Sequence, residues 1–248
     1  MRVPENAGSS WFRRYSPSSH GRIRLLCFPH AGGAASFYRP MAAALGPVID
    51  TLGVQYPGRQ DRRLDPCVDD LLLLADRITS EVRGLFDRPV GFFGHSMGAV
   101  VAFEVARRLE SAGLDLIQLI ASGHAAPSRA SDSGMHRLDD EHLRARLETL
   151  SGTDVRVLCD PELWPLIMPA VRADYKAIDE YACPPGAVLA SDITALIGDT
   201  DPLTTFADAQ AWREHTVGSF TLRVFPGDHF FLTTHTADVA AAVADLII

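Results

Sequence analysis

Six short apolar runs, each ending at glycine or proline and separated by helix-length segments, most constrain what this chain can fold into. "RIRLLCF" leads into "PHAGG". "VIDTLGVQYPG", "PVGFFG", "LDLIQLIASG", "SDITALIG" and "FTLRVFPG" complete the set. None alternates strictly between apolar and polar residues, the pattern of strands covered on both faces of a mostly parallel sheet. The segments between them carry helical periodicity. "AASFYRPMAAAL" follows the first run and "VDDLLLLADRITSEVRGLF" the second; "ADAQAWREH" and "TADVAAAVADLII" come later. After "GFFGHSMG", Val101, Val105 and Leu109 recur every four residues while Glu104, Arg107, Arg108 and Glu110 turn elsewhere, and Gly113 closes the helix. Strands alternating with helices predict a doubly wound α/β fold with right-handed crossovers. A chain of 248 residues, 47% hydrophobic, suits one such domain with a full core.

The rhythm breaks once. From about His124 to Pro185 there is no strand signal, only two helix-like segments, "LDDEHLRARLETL" and "PELWPLIMPAVRADYKAIDEY". Pro165 and Pro169 are expected to bend or divide the second. A helical insertion at this point, residues 124–185, predicts a lid over the carboxyl ends of the strands. A packed helical subdomain without gating is the competing role. Residues 1–20 are rich in Ser, Pro and Arg and read as a mobile lead-in, in which Trp11, Phe12 and Tyr15 could pack. The expected organisation is a single domain over 1–248 bearing that insertion.

Charge and cysteine content exclude several functions. The formal net charge is −8 and no block of Lys/Arg could neutralise a run of phosphates, which argues against nucleic acid as a partner. A local basic patch for an acidic protein remains open, from Arg59, Arg62 and Arg63 or from Arg13, Arg14, Arg22 and Arg24; solvated surface arginines are the plainer reading. Cys27, Cys67, Cys159 and Cys183 form no CxxC pair, so neither a metal site nor a disulfide framework is expected. The polar start is not a secretory signal, and "LLLLA" at Leu71 is far too short to cross a bilayer. These features predict a soluble cytoplasmic protein.

The chemistry centres on "GHSMG", a match to G-x-S-x-G with an apolar strand before it and a helix after it. Small residues at Gly94 and Gly98 let the flanking backbones approach, so Ser96 would be exposed at the strand tip beside a helix N-terminus. A serine hydroxyl needs a base to take its proton, and the base needs an acid to orient it. In the order nucleophile, acid, base, "ALIGDTDPL" offers Asp199 and Asp201 after one strand, and "RVFPGDHFFL" offers His229 after the next. Asp201 lies far enough round its loop to turn back to the imidazole; Asp199 could cap the turn, and Asp228 should point away from its neighbour's ring. His20, His136, His142, His215 and His235 sit in polar or helical contexts and read as surface residues. An oxyanion would be met by the amide of Met97, next after the nucleophile, and by that of Ala31 in the glycine-rich "PHAGG" loop. His30 reads as structural.

Taken together, "LLCFPHAGGAASFYRPMA", "VQYPGRQDR", "GFFGHSMGAVVAFEVA", "PAVRADYKAIDEY" and "GDHFFL" resemble, in order, the segments of type II thioesterases of polyketide and non-ribosomal peptide assembly lines. The resemblance runs from about Arg24 to the C-terminus. It implies an α/β-hydrolase fold with a Ser96–Asp201–His229 triad and oxyanion donors at Ala31 and Met97. One departure is Asp228, where the family commonly has glycine before the histidine. The implied activity is hydrolysis of acyl groups from the phosphopantetheine arm of an acyl or peptidyl carrier protein. It needs no cofactor, since the pantetheine arrives on the partner, and a monomer suffices for transient meetings with carriers. Phe37, Tyr38, Trp164, Leu166, Met168 and Tyr175 are candidates for the acyl pocket, with core packing the competing role for each. A carboxylesterase acting on free esters shares every catalytic residue, and a non-catalytic scaffold is the remaining alternative.

Overall fold

A computed structural model describes residues 9–15, 21–129, 132–150 and 160–248. Seven strands form one sheet: β1 (Phe12–Arg14), β2 (Ile23–Phe28), β3 (Ile49–Val54), β4 (Val90–His95), β5 (Gln118–Ser122), β6 (Ile193–Gly198) and β7 (Phe220–Phe225). Their spatial order is β1-β3-β2-β4-β5-β6-β7, parallel throughout except for the antiparallel edge strand β1. The helices are α1 (Arg39–Leu45), α2 (Leu71–Val82), α3 (Met97–Glu110), α4 (Asp140–Leu150), α5 (Trp164–Asp179), α6 (Phe206–Gln210), α7 (Phe231–Thr234) and α8 (Thr236–Ile247).

The lack of alternation in the apolar runs has its expected cause. Along β2, Leu26 and Phe28 enter a core shared with α2 and α3, whereas Leu25 and Cys27 enter a second core shared with α1 and α8. Both faces are therefore covered, and β3 to β6 are buried along their whole length. The edge strand β7 is the exception, half-exposed residue by residue. This is the mostly parallel sheet flanked by helices that the α/β reading predicts.

Between β5 and β6 the chain forms two short 3₁₀ turns (Pro127–Arg129 and Met135–Arg137) and then α4 and α5. This insertion has its own small core of Met135, Leu143, Leu147, Trp164 and Val171. Pro169 does not divide α5, which runs unbroken from Trp164 to Asp179. Pro165 sits in the first turn, where no intrahelical donor is needed. Pro169 is exposed one turn later and removes only one i→i−4 bond, a loss of about 3 kcal/mol. Burial of Trp164, Ala170, Val171 and Ala177 on the same helix offsets it.

Four expectations need correction. The lead-in over 1–20 is not mobile in its middle: Phe12–Arg14 pairs with β3, and Trp11 and Phe12 are buried. Residues 1–8 and 16–20 lie outside the described residues, as does Cys159; Cys27, Cys67 and Cys183 are free thiols. Of the arginines considered for a basic patch, Arg22 and Arg63 are exposed at the surface, but the other five are ion-paired to carboxylates. Arg13 pairs with Asp61, Arg14 and Arg24 with Asp50, Arg59 with Asp174 and Arg62 with Asp65. His215 is buried, bonding the Ala187 carbonyl and the Ser128 hydroxyl.

Glu104, expected on the outer face of α3, is completely buried. One carboxylate oxygen accepts from the Tyr181 hydroxyl at 2.9 Å, and the other from Arg107 and Arg108. It thus pins the chain leaving α5 to the helix that follows Ser96. Glu104→Ala would strand a buried phenol and two guanidinium groups, and should cost about 2–3 kcal/mol of unfolding free energy. Urea titration checks this; a loss below about 0.5 kcal/mol would mean that the carboxylate is dispensable.

Candidate active site

Ser96 sits between β4 and α3 with φ 53° and ψ −127°, a conformation costing on the order of 1–3 kcal/mol for a non-glycine residue. Glycines on both sides make the turn sterically feasible. A Cβ on Gly94 would strike the Gly98 carbonyl, and a Cβ on Gly98 would strike the Phe28 carbonyl at the end of β2. The amide of Ser96 is held by the Ser122 carbonyl at 2.8 Å and its carbonyl by the Ala99 amide at 2.8 Å. Met97 begins α3, so its N–H has no helical carbonyl to bond.

At the same end of the sheet, past β6 and β7, His229 Nδ1 lies 2.9 Å from Asp201 Oδ2, both side chains being almost fully buried. The second oxygen of Asp201 accepts from the Leu203 amide at 2.8 Å. Asp199 instead accepts from the Gly227 amide across in the loop after β7, and Asp228 accepts from the Phe230 amide within its own turn, so both carboxylates are occupied elsewhere. Gly198 makes the meeting possible: a side chain there would collide with the Gly227 and Asp228 carbonyls, in the loop that brings His229 over β6.

Ser96 and His229 line one cavity of about 240 Å³ together with His30, Ala31, Met97, Gly123, His124 and Phe230. The inserted segment supplies the opposite wall with Met135, Leu147, Leu150, Tyr175 and Ile178. Burial, then the Asp179 and Asp174 carboxylates, push the Tyr175 phenol up, leaving it a neutral donor facing the cavity.

Of the side chains expected in the pocket, Tyr175 is there. Phe37, Tyr38, Trp164 and Met168 are not among the lining residues. Tyr38 is fully buried, its hydroxyl bonded to the Phe28 carbonyl at 2.6 Å. Phe37 packs behind His30, edge to ring at 4.6 Å. Trp164 and Met168 belong to the core of the insertion, and Leu166 is exposed. Their aromatic and apolar character could not distinguish pocket from core. His30 is buried, with Phe37 and Phe230 against its ring.

Two other histidines were missed. His95 is completely buried, with its ring centre 5.0 Å from that of His229 and its Nδ1 3.0 Å from the Ser122 hydroxyl. Burial first, then the neighbouring His229, His30 and His124, hold its pKa well below the ordinary imidazole value. His124 is lowered chiefly by burial as well, and its Nδ1 bonds the Ala125 carbonyl. Position inside the motif was the available signal for His95, and position just past the β5 strand for His124. Gly123, at φ 60°, leaves room for both rings: a Cβ there would lie 2.6 Å from His95 Cε1 and 3.4 Å from His229 Cε1.

Among the described residues, Asp132, His136 and Asp179 could converge on a metal ion. Their atoms are already engaged. His136 bonds Asp179, which also accepts from the Ser133 amide and hydroxyl, and Asp132 accepts from Gly134 and Arg137. The cluster closes a loop of the insertion. No helix among the described residues is long and apolar enough to cross a membrane.

Comparison with known proteins follows the same lines. The thioesterase domain family matches residues 23–247. The chain is 48% identical over 243 residues to a probable cadicidin biosynthesis thioesterase of Streptomyces griseus, covering 98% of this chain and 67% of that one. It is 42% identical over 245 residues to the thioesterase PikA5 of Streptomyces venezuelae, covering 98% and 87% respectively. The structure of the type II thioesterase BorB from the borrelidin biosynthetic cluster superposes with a TM-score of 0.90 at 47% identity, over 96% of this chain and 98% of that one.

The buried neutral histidines should make stability pH-dependent. An unfolded chain protonates His95 and His124 below about pH 6.5, while the folded chain resists. The stability they contribute is therefore complete above that pH and is lost as pH falls toward their lowered folded values. Denaturant titrations from pH 7 to 5 should show His95→Asn with a slope shallower by up to about 1.4 kcal/mol per pH unit than wild type. Equal slopes would show that His95 is charged in the folded state.

Proposed function

The chain belongs to the thioesterase family and is a hydrolase acting on thioesters, and on that premise we propose that it removes acyl groups from the phosphopantetheine arm of acyl or peptidyl carrier proteins in polyketide or non-ribosomal peptide synthesis, as a type II editing enzyme. One observation carries the catalytic reading. A serine held in a strained elbow shares a cavity with a histidine whose other nitrogen is braced by a buried carboxylate.

In this reading Ser96 Oγ attacks the thioester carbonyl and His229 Nε2 takes its proton. Asp201, bonded to Nδ1–H, fixes the tautomer and stabilises the imidazolium. The amides of Ala31 and Met97 receive the oxyanion of the tetrahedral intermediate. Collapse breaks the C–S bond, and the imidazolium returns its proton to the departing pantetheine thiolate. A water then loses a proton to His229, attacks the acyl-serine and releases the acid with Ser96 restored. Only water is consumed, so the reaction calls for no cofactor, and the pantetheine belongs to the substrate.

The cavity is smaller than the roughly 300–1,000 Å³ usual for drug-sized ligands. Its apolar wall of Met135, Leu147, Leu150 and Ile178 suits a short acyl group. The inserted segment serves as the lid. Its contribution of one whole wall supports that role, and the place of work in this reading is the cytoplasm, where carriers are loaded.

Ser96→Ala should lower hydrolysis about 10⁶-fold if the three side chains act as a unit, and Asp201→Asn about 10⁴-fold, with Asp199→Asn far milder. Stopped-flow or discontinuous assay on acyl-loaded carrier protein measures all three; undiminished turnover in the Ser96 variant ends the nucleophile assignment. Wild-type kcat/KM should be higher for the loaded carrier than for a p-nitrophenyl ester. A preference for the free ester by orders of magnitude would instead identify a carboxylesterase.

A further inference from the structure

Three segments distant in sequence meet at one buried ion pair. Arg59, in the loop after β3, reaches Asp174 of α5 with two bonds, Nη1 to Oδ2 at 2.6 Å and Nη2 to Oδ1 at 2.8 Å, and both side chains are more than nine-tenths buried. The pair also grips the loop after β2. Asp174 Oδ2 accepts from the Gly32 amide at 2.8 Å, and Arg59 Nη1 donates to the Gly33 carbonyl at 3.0 Å. That loop is a β-turn closed by the Gly33 amide on the His30 carbonyl, with Gly32 at φ 74° in its third position. In a turn of this kind the peptide joining the second and third residues can flip between two orientations, and the third residue's N–H distinguishes them. Asp174 holds that N–H.

The fit is close on the apolar side as well. A Cβ on Gly32 would lie 2.8 Å from Val171 Cγ2, three residues before Asp174 on the same face of α5. Gln55 completes the clamp: its side-chain oxygen accepts from the Ala35 amide, and its side-chain nitrogen donates to the Arg59 carbonyl.

We infer that Arg59 and Asp174 are positioning residues for the oxyanion site, holding the 30–33 turn so that the Ala31 amide faces the thioester carbonyl oxygen, which becomes negative when Ser96 attacks. The inference rests on the catalytic reading of Ser96 and Ala31 given above. It makes α5 a fixed bracket for the chemistry as well as a wall of the cavity. Neither residue needs to touch the substrate.

The test separates positioning from general structural support. Asp174→Asn keeps an acceptor for Gly32 but weakens the grip of Arg59. The double variant Arg59→Met/Asp174→Leu removes both charges, and replacing a buried pair with apolar groups of similar volume is often tolerated by folding. Two quantities are measured on each: the rate at which an alkyl fluorophosphonate labels Ser96, followed by mass spectrometry, and the Kd of an acyl-pantetheine thioether that cannot react. The labelling reaction builds negative charge on the oxygen met by the oxyanion donors, whereas thioether binding does not. We expect labelling to slow by about 10²-fold in the double variant, the scale of losing one oxyanion donor, with the thioether Kd within a factor of about two. Labelling at the wild-type rate in a folded double variant overturns the inference, and so does a parallel loss in both quantities. Failure of wild type to label at Ser96 would instead sink the nucleophile reading on which it rests.

Discussion

Everything in the site follows from how closely three backbones approach at the elbow. The first turn of α3 is packed so tightly on the ends of β4 and β2 that neither Gly94 nor Gly98 has room for a methyl group. The contact at Gly94 forces the sharp reversal that puts Ser96 in its strained conformation. The contact at Gly98 is with the carbonyls of Phe28 and Pro29, where β2 gives way to the loop carrying Ala31. One steric constraint therefore sets both the presentation of the hydroxyl and the spacing between the Met97 amide and that loop. The strain is held by interactions on every side: Ser122 on the Ser96 amide, Tyr38 on the Phe28 carbonyl and Tyr56 on the Pro29 carbonyl.

Around this frame the protein places four imidazoles, of His30, His95, His124 and His229, with apolar or aromatic neighbours. Burial disfavours the charged forms of His95 and His124, so neither puts a charged ring beside that of His229 near pH 7. His229 is also distinguished by its carboxylate partner. Gly123 keeps the rings of His95 and His229 from being pushed apart by a side chain.

The parts of this arrangement legible in the sequence are those encoded locally. Apolar runs ending in glycine located the six parallel strands, and Ser96, Asp201 and His229 follow from their places just past strand ends. Even the choice of Asp201 over Asp199 and Asp228 could be argued from reach along a short loop. Where reading failed, the deciding partner lay far off in the chain. Glu104 looks like a surface charge until Tyr181, 77 residues on, is seen to donate to it. Arg59 looks solvent-bound until α5 delivers Asp174, 115 residues away. Tyr38 and Trp164 have the composition of a binding pocket, and only packing shows that they fill cores. The N-terminal strand was hidden by its polar flanks, though Trp11 and Phe12 carry enough apolar area to be drawn onto the sheet edge.

The insertion is fastened unevenly, and that has a consequence for diversification. Its later half, α5, is fixed to the loop after β2 through Asp174 and, just beyond its end, to α3 through Tyr181. Its earlier half contributes Met135, Leu147 and Leu150 to the cavity, and its bonds to α5 run through Asp179 and Arg172, which hold Ser133, His136, Leu138 and Asp140 rather than those cavity side chains. Side chains there can be exchanged for larger or smaller ones without disturbing the bonds that hold the reactive centre. Relatives descended from one ancestor could in this way acquire different appetites for chain length while inheriting the same reaction unchanged.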